Sequence, residues 1–120
     1  GFGLLGHLHK LGLASGVGIE IDTESVPTLP GVWDLIDSGV VPGGTMRNLE
    51  FVRPWVRGTA ARRAEQMLVL LADAQTSGGL VFSCDEEAAE EAVDMLVGQG
   101  HNAARIGQLV ATEPGTLQLG

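Results

Sequence analysis

The residues best suited to chemistry lie in three short segments that are rich in glycine and hydrogen-bonding side chains. Residues 1–6 read Gly-Phe-Gly-Leu-Leu-Gly, residues 42–48 read Pro-Gly-Gly-Thr-Met-Arg-Asn, and residues 73–79 read Asp-Ala-Gln-Thr-Ser-Gly-Gly. Glycine lets the backbone turn tightly or approach a ligand closely, and a helix that begins in such a segment points its first amides at an anion. Each segment is therefore a candidate phosphate-binding loop, with close helix packing or an ordinary turn as the alternative.

The other reactive side chains form no catalytic or metal-binding pattern. His7 and His9 are two positions apart on a predicted helix, so they face different directions. His101 follows a glycine turn, and we expect Cys84, the only cysteine, to be an inert small hydrophobe that follows a buried strand. The acidic residues after Cys84 are typical of a solvated helix face. We predict neither a catalytic residue nor a metal ligand in this chain.

Composition and charge exclude several classes of protein. The chain has 120 residues, the length of one domain, and 15 acidic against 7 basic residues give a net charge of -8. A nucleic-acid binder needs a basic face, which this balance argues against. No apolar run approaches the ~20 residues of a membrane span. The chain opens abruptly within a glycine motif, and we expect it to be part of a longer protein.

Hydrophobic periodicity indicates the elements that must position the three segments. Apolar residues recur at helical spacing over 4–13, alternate as in a strand over Val17–Asp22, and recur again at helical spacing within 59–73. We predict helices, strands and one irregular stretch as follows: helix 4–13, strand Val17–Asp22, helix Val32–Asp37, irregular 40–58, helix Thr59–Asp73, strand Leu80–Ser83, a helix with a buried apolar side after a Ser83–Glu86 capping box, and strands Ala103–Val110 and Thr116–Leu119 paired as a closing hairpin. This order predicts an α+β domain with helices packed on a mixed sheet.

Four motifs in one order carry a resemblance to a known family. Residues 1–8, 42–48, 73–80 and the stretch Ala-Ala-Arg-Ile-Gly-Gln-Leu-Val at 103–110 together resemble the C-terminal half of the selenide, water dikinase (selenophosphate synthetase) family. The wider superfamily includes aminoimidazole ribonucleotide synthetase, thiamine-monophosphate kinase and a hydrogenase maturation protein. The resemblance implies a PurM C-terminal-like, AIR synthase-related fold over residues 1–120, as one domain of a longer two-domain enzyme.

The resemblance also implies a reaction in which ATP, selenide and water give selenophosphate, AMP and phosphate. It implies Mg²⁺, a cytoplasmic setting, a homodimer, and an N-terminal domain of the same chain as the partner of this one. In the family the catalytic Cys or selenocysteine, its Lys and most metal carboxylates lie in that N-terminal domain, and one further metal-binding Asp lies just upstream of the position of Gly1. We therefore expect this chain to be inactive alone and to hold no cofactor by itself.

The candidate residues for contact with ATP are those of the three glycine-rich segments that would face the cleft between the two domains. They are Gly1, Gly3, Gly43, Gly44, Thr45, Asn48, Gln75, Thr76 and Ser77. One position departs from the family, which usually has Pro where this chain has Ala74, and we expect the turn after Asp73 to lose rigidity. Two alternatives stay open: another ATP-dependent enzyme of the superfamily, and a stand-alone binding module on the same fold.

Overall fold

A four-stranded mixed sheet with helices packed against it organises the chain, and the computed structural model describes all of residues 1–120. Two single-turn 3-10 helices, at Thr23–Ser25 and Arg53–Trp55, accompany the longer elements. In chain order the α-helices and β-strands are α1 Gly3–Ser15, β1 Gly18–Ile21, α2 Val32–Asp37, α3 Gly43–Val52, β2 Val56–Gly58, α4 Ala64–Leu71, α5 Glu86–Gly98, β3 Gly107–Val110 and β4 Leu117–Leu119.

The strands lie in the order β2-β4-β1-β3. β4 runs parallel to both of its neighbours and β3 runs antiparallel to β1, with Ile19 opposite Leu117 on one side and Leu109 on the other. Because successive side chains of a strand point to opposite faces, Ile19 and Ile21 are buried while Glu20 between them is exposed. The sheet therefore has one buried apolar face and one polar face.

The hydrophobic core fills the space between the buried face of the sheet and helices α1, α3 and α4. Its twelve members are Leu5, Leu8, Ile19, Ile21, Leu49, Val52, Ala60, Met67, Leu71, Ala72, Leu117 and Leu119. A buried histidine ties α1 to the sheet, because Nδ1 of His9 lies 2.8 Å from the carbonyl oxygen of Gly115. The His9 ring also lies 4.7 Å from the ring of Trp55, measured between centroids. These contacts join α1 to the turn that precedes β4 and to the 3-10 helix that precedes β2.

Much of the predicted architecture is confirmed. The α+β class, the mixed sheet, the first helix, the strand around Ile19 and the helix Val32–Asp37 are all present. On α1 the two neighbouring histidines face different ways, since His9 is buried and His7 is exposed.

The prediction of an irregular stretch at 40–58 was wrong. The structure places α3, a 3-10 turn and β2 there. The helix forms because Thr45, Leu49 and Val52 recur at the spacing of one helical face, and all three are buried. Pro42 and two glycines at the start of this segment, normally turn signals, concealed that face from the sequence pattern.

The helix predicted over Thr59–Asp73 is shorter, because α4 begins at Ala64. Arg63 has a left-handed backbone with φ 50 and cannot continue a helix from the preceding residues. Its guanidinium forms an ion pair with Asp37 and lies over the ring of Trp33. These contacts with α2 hold the turn that delays the start of the helix.

The strand predicted at Leu80–Ser83 is absent, and the helix after it is not buried. No strand of the sheet pairs with this segment, so Leu80 is 99% exposed and Phe82 and Cys84 are exposed as well. α5 contains no buried residue, although Ala89, Ala92, Val93 and Leu96 are half-buried on one side. Its N-cap is Asp85 and carries no side-chain hydrogen bond, so the predicted Ser83 capping box is also absent.

The last two strands do not form the predicted closing hairpin. β1 lies between β3 and β4, so the final loop crosses from one side of β1 to the other. β3 begins at Gly107 and not at Ala103, because pairing with β1 extends only over the residues opposite Gly18–Ile21. A short central strand therefore limits the length of its partner.

Candidate functional site

The three glycine-rich segments of the sequence meet at one place, around the end of α4. Asn48, in the middle of α3, makes the central link. Its Nδ2 atom donates to the carbonyl oxygen of Gly1 at 2.7 Å and to that of Ala72 at 3.0 Å. One amide side chain thus connects the start of α1 and the end of α4 to α3, and it satisfies a carbonyl that α4 leaves free at its C-terminus.

Thr45 makes a second link, between the first turn of α3 and the segment after α4. Its side chain is 0% exposed. The Oγ1 atom donates to Oδ1 of Asp73 at 3.2 Å and accepts from the backbone amide of Ala74 at 3.3 Å. A buried hydroxyl needs partners, and this one finds both of them in the 73–79 segment.

Gly3 allows the closest backbone contact of the site. Its φ is +75, and a Cβ atom added there would lie 2.6 Å from the carbonyl carbon of Ala72. Only glycine combines that conformation with that proximity at little cost. The start of α1 therefore lies directly against the end of α4.

The segment 73–79 begins with a tight turn. The amide of Gln75 donates to the carbonyl oxygen of Asp73 at 3.0 Å, which closes a three-residue γ-turn around Ala74. Nε2 of Gln75 also donates to Oδ2 of Asp73 at 3.2 Å. Hydrogen bonds from Thr45 and Gln75 thus hold this turn. We expected the turn to lose rigidity because Ala74 replaces a proline. These hydrogen bonds supply a restraint of a different kind from a proline ring.

The nine candidate residues fall into three sets by exposure. Gly1, Gly43, Gln75, Thr76 and Ser77 are exposed, whereas Thr45 is buried and the remaining three are half-buried. The exposed set can touch a ligand directly. The hydroxyl of Thr45 and the Nδ2 atom of Asn48 are engaged with protein partners, and they hold the exposed segments in place.

The electrostatics of the site combine two helix starts with one carboxylate. Neither α1 nor α3 has a side-chain cap or an acidic residue in its own first turn, but the end of α4 lies against the start of α1 and the Asp73 carboxylate accepts from Thr45 in the first turn of α3, so other parts of the chain balance some of the positive charge of each helix start. Arg47 follows Gly44 closely, with its guanidinium beside that glycine. No three His, Cys, Asp or Glu side chains come together in a cluster that could hold a metal ion. None of the helices is both long and apolar enough to cross a membrane.

The sequence indicated the structural role of Asp73 and missed that of Ala72. Asp73 opens a segment in which Asp and Gln side chains were expected to close a turn, and it accepts two side-chain hydrogen bonds. Ala72 offers the carbonyl oxygen for Asn48. Nothing in the sequence marks Ala72, because a backbone carbonyl is common to every residue type.

Comparison with known proteins defines the class first. The whole chain, residues 1–120, matches the family described as AIR synthase related protein, C-terminal domain. The chain therefore belongs to that family, as the resemblance of its motifs implied.

Individual relatives narrow this class. The chain is 47% identical over 93 residues to the selenide, water dikinase of Porphyromonas gingivalis, a match that covers 78% of this chain and 26% of that protein. It is 41% identical over 115 residues to the selenide, water dikinase of Myxococcus xanthus, covering 96% of this chain and 32% of the relative. It is 38% identical over 119 residues to the selenide, water dikinase of Photobacterium profundum, a match that covers 98% of this chain and 33% of that protein. The chain thus spans a third or less of the length of these curated relatives.

Proposed function

We propose that this chain is the C-terminal domain of a selenide, water dikinase, and that it supplies the phosphate-facing wall of the ATP site. The observation that carries the proposal is the convergence of the three glycine-rich segments on Ala72 and Asp73, in a chain whose relatives bear that name. The reaction proposed for the whole enzyme converts ATP, selenide and water to selenophosphate, AMP and phosphate.

The chemistry assigned to this chain is binding and orientation. The uncapped starts of α1 and α3 offer backbone amides to phosphate oxygens, and such preorganised amides stabilise charge that develops during phosphoryl transfer. Exposed Gln75, Thr76 and Ser77 add side-chain donors beside them. Because these amides and side chains are held in place before ATP binds, less conformational entropy is lost when ATP binds.

The residues of this chain do not by themselves fit a Mg²⁺ site, because no three carboxylate or other ligand side chains come together. We therefore assign Mg²⁺ binding to the phosphates of ATP and to residues outside this chain, and we derive no step through the metal. The proposal includes an N-terminal domain of the same protein as partner, a homodimer and a cytoplasmic setting. It leaves this chain inactive when tested alone.

Phosphorus NMR of the full-length protein tests the function. Incubation with ATP, Mg²⁺ and selenide under anaerobic conditions should yield a selenophosphate resonance together with AMP and phosphate in equal amounts. Reactions without selenide and reactions of the isolated chain are the controls. Phosphorylation of a nucleotide precursor or of thiamine monophosphate, without any selenophosphate, would assign the protein to another branch of the superfamily.

A further inference from the structure

We infer that Thr45 is a positioning residue, whose buried hydroxyl sets the conformation of the 73–79 segment and through it the affinity for ATP. This inference rests on the proposed function and deepens it. Thr45 has no exposed surface, so it touches no ligand. Its Oγ1 atom instead joins two atoms of the turn, Oδ1 of Asp73 and the amide of Ala74.

The direction of both hydrogen bonds is fixed by the chemistry of the groups. The Ala74 amide can only donate, so the hydroxyl accepts from it, and the hydroxyl proton is then free for the carboxylate of Asp73. The second carboxylate oxygen of Asp73 accepts from Gln75. A chain of hydrogen bonds therefore runs from the buried face of α3 to Gln75, which is exposed at the site.

The geometry of the turn around Ala74 allows it to be held in two ways, by the hydrogen bonds of Thr45 or by the ring of a proline at position 74. The γ-turn around Ala74 has the inverse form, since Ala74 is not among the residues with positive φ. The central φ of that form is about -75°, close to the roughly -65° of proline. A proline at position 74 would thus fit the backbone, fix φ covalently and remove the amide that donates to Thr45.

Kinetics of the full-length enzyme with four variants test the inference. Thr45→Val keeps the shape and removes the hydroxyl, and we expect the KM for ATP to rise roughly tenfold, the loss of about one strong hydrogen bond, with kcat and the KM for selenide little changed. Thr45→Ser retains the hydroxyl and should behave as the parent. In the double variant Thr45→Val with Ala74→Pro, the ring should recover most of the affinity that Thr45→Val loses.

Thr23→Val is the matched control, because Thr23 is also fully buried and donates its hydroxyl to the carbonyl oxygen of Gly120, away from the site. It should lower stability without changing the KM for ATP. A KM within twofold of the parent for Thr45→Val, or an equal rise for Thr45→Ser or Thr23→Val, would overturn the inference. If Thr45→Val is unfolded at the assay temperature, Asp73→Ala, which removes the acceptor of the same hydroxyl from a half-buried position, replaces it with the same expectation.

Hydrogen exchange followed by mass spectrometry separates failure of this inference from failure of the proposed function. Amides of 73–79 should exchange faster in Thr45→Val than in the parent or in Thr23→Val, with or without enzymatic activity. Faster exchange in an enzyme that makes no selenophosphate would retain the positioning role and reject the function. Unchanged exchange in an active enzyme would reject the positioning role alone.

Discussion

Two regions of the molecule carry equally regular hydrophobic patterns, yet only one of them is packed. The packed region, residues 1–79 and 107–120, contains every buried hydrophobic side chain of the core. The outer region, residues 80–106, contains none, although it includes Leu80, Phe82 and the half-apolar helix α5. The difference shows that an amphipathic pattern indicates a face suited to burial and does not specify the surface that covers it.

The candidate site belongs to the packed region. Asn48, Thr45 and Gly3 all contact residues 72–74, immediately after buried Leu71. A site that binds by preorganised amides needs elements that do not shift relative to one another. The core beneath α4 provides that support, and the exposed loop 75–79 extends from it.

The largest expected effect compares one leucine from each region. Leu71→Ala should lower the free energy of unfolding by about 2–5 kcal/mol, because it removes buried methyl groups and leaves a cavity. Leu80→Ala should change it by less than about 0.5 kcal/mol, because that side chain is already in water. Urea denaturation of both variants measures the contrast, and equal losses would show that the outer region packs in solution.

A glycine pair tests the contact between α1 and α4. Gly3→Ala should cost about 2–3 kcal/mol, since it adds the strain of a positive φ to a clash with the backbone of Ala72. Gly16 has a φ of +70, and an added Cβ would have no atom within 4 Å, so Gly16→Ala should cost only about 1 kcal/mol. The difference in thermal stability between these two variants measures the contribution of the contact between Gly3 and Ala72. A difference of zero would show that this contact contributes nothing to stability.

The smallest of the three effects compares two asparagines. Asn48→Ala deprives two carbonyl oxygens of a donor and should cost about 1–2 kcal/mol. Asn102→Ala changes an exposed side chain in the outer region and should stay within about 0.5 kcal/mol of the parent. Both values come from the same denaturation experiment. A cost for Asn102 that matched that for Asn48 would contradict the contrast between the regions.

The sequence allowed prediction of the elements whose signals are local. The helical spacing of Leu5 and Leu8 and the alternation around Ile19 were enough for α1 and β1. β2 was not predictable, because it is only three residues long and exists through pairing with β4, about 60 positions along the chain. The strand predicted at Leu80–Ser83 failed for the opposite reason, since its pattern is favourable and no strand pairs with it.

The site was predictable as a set of segments and not as a set of contacts. Glycines, hydroxyls and amides at 1–6, 42–48 and 73–79 indicated the three segments. That Thr45 would be buried and Gln75 exposed depends on which face of α3 meets α4. That information lies in tertiary packing, so the division between buried supporting residues and exposed residues could come only from the structure.

We propose above all that ATP binds against the three converging segments of the packed region. Hydrogen exchange of the full-length protein, with and without a non-hydrolysable ATP analogue and Mg²⁺, tests it most directly. We predict slower exchange in 1–6, 43–48 and 73–79 when the analogue is bound, and no change in 80–106. Unchanged exchange in those three segments under saturating analogue, or protection confined to residues 80–106, would contradict the account.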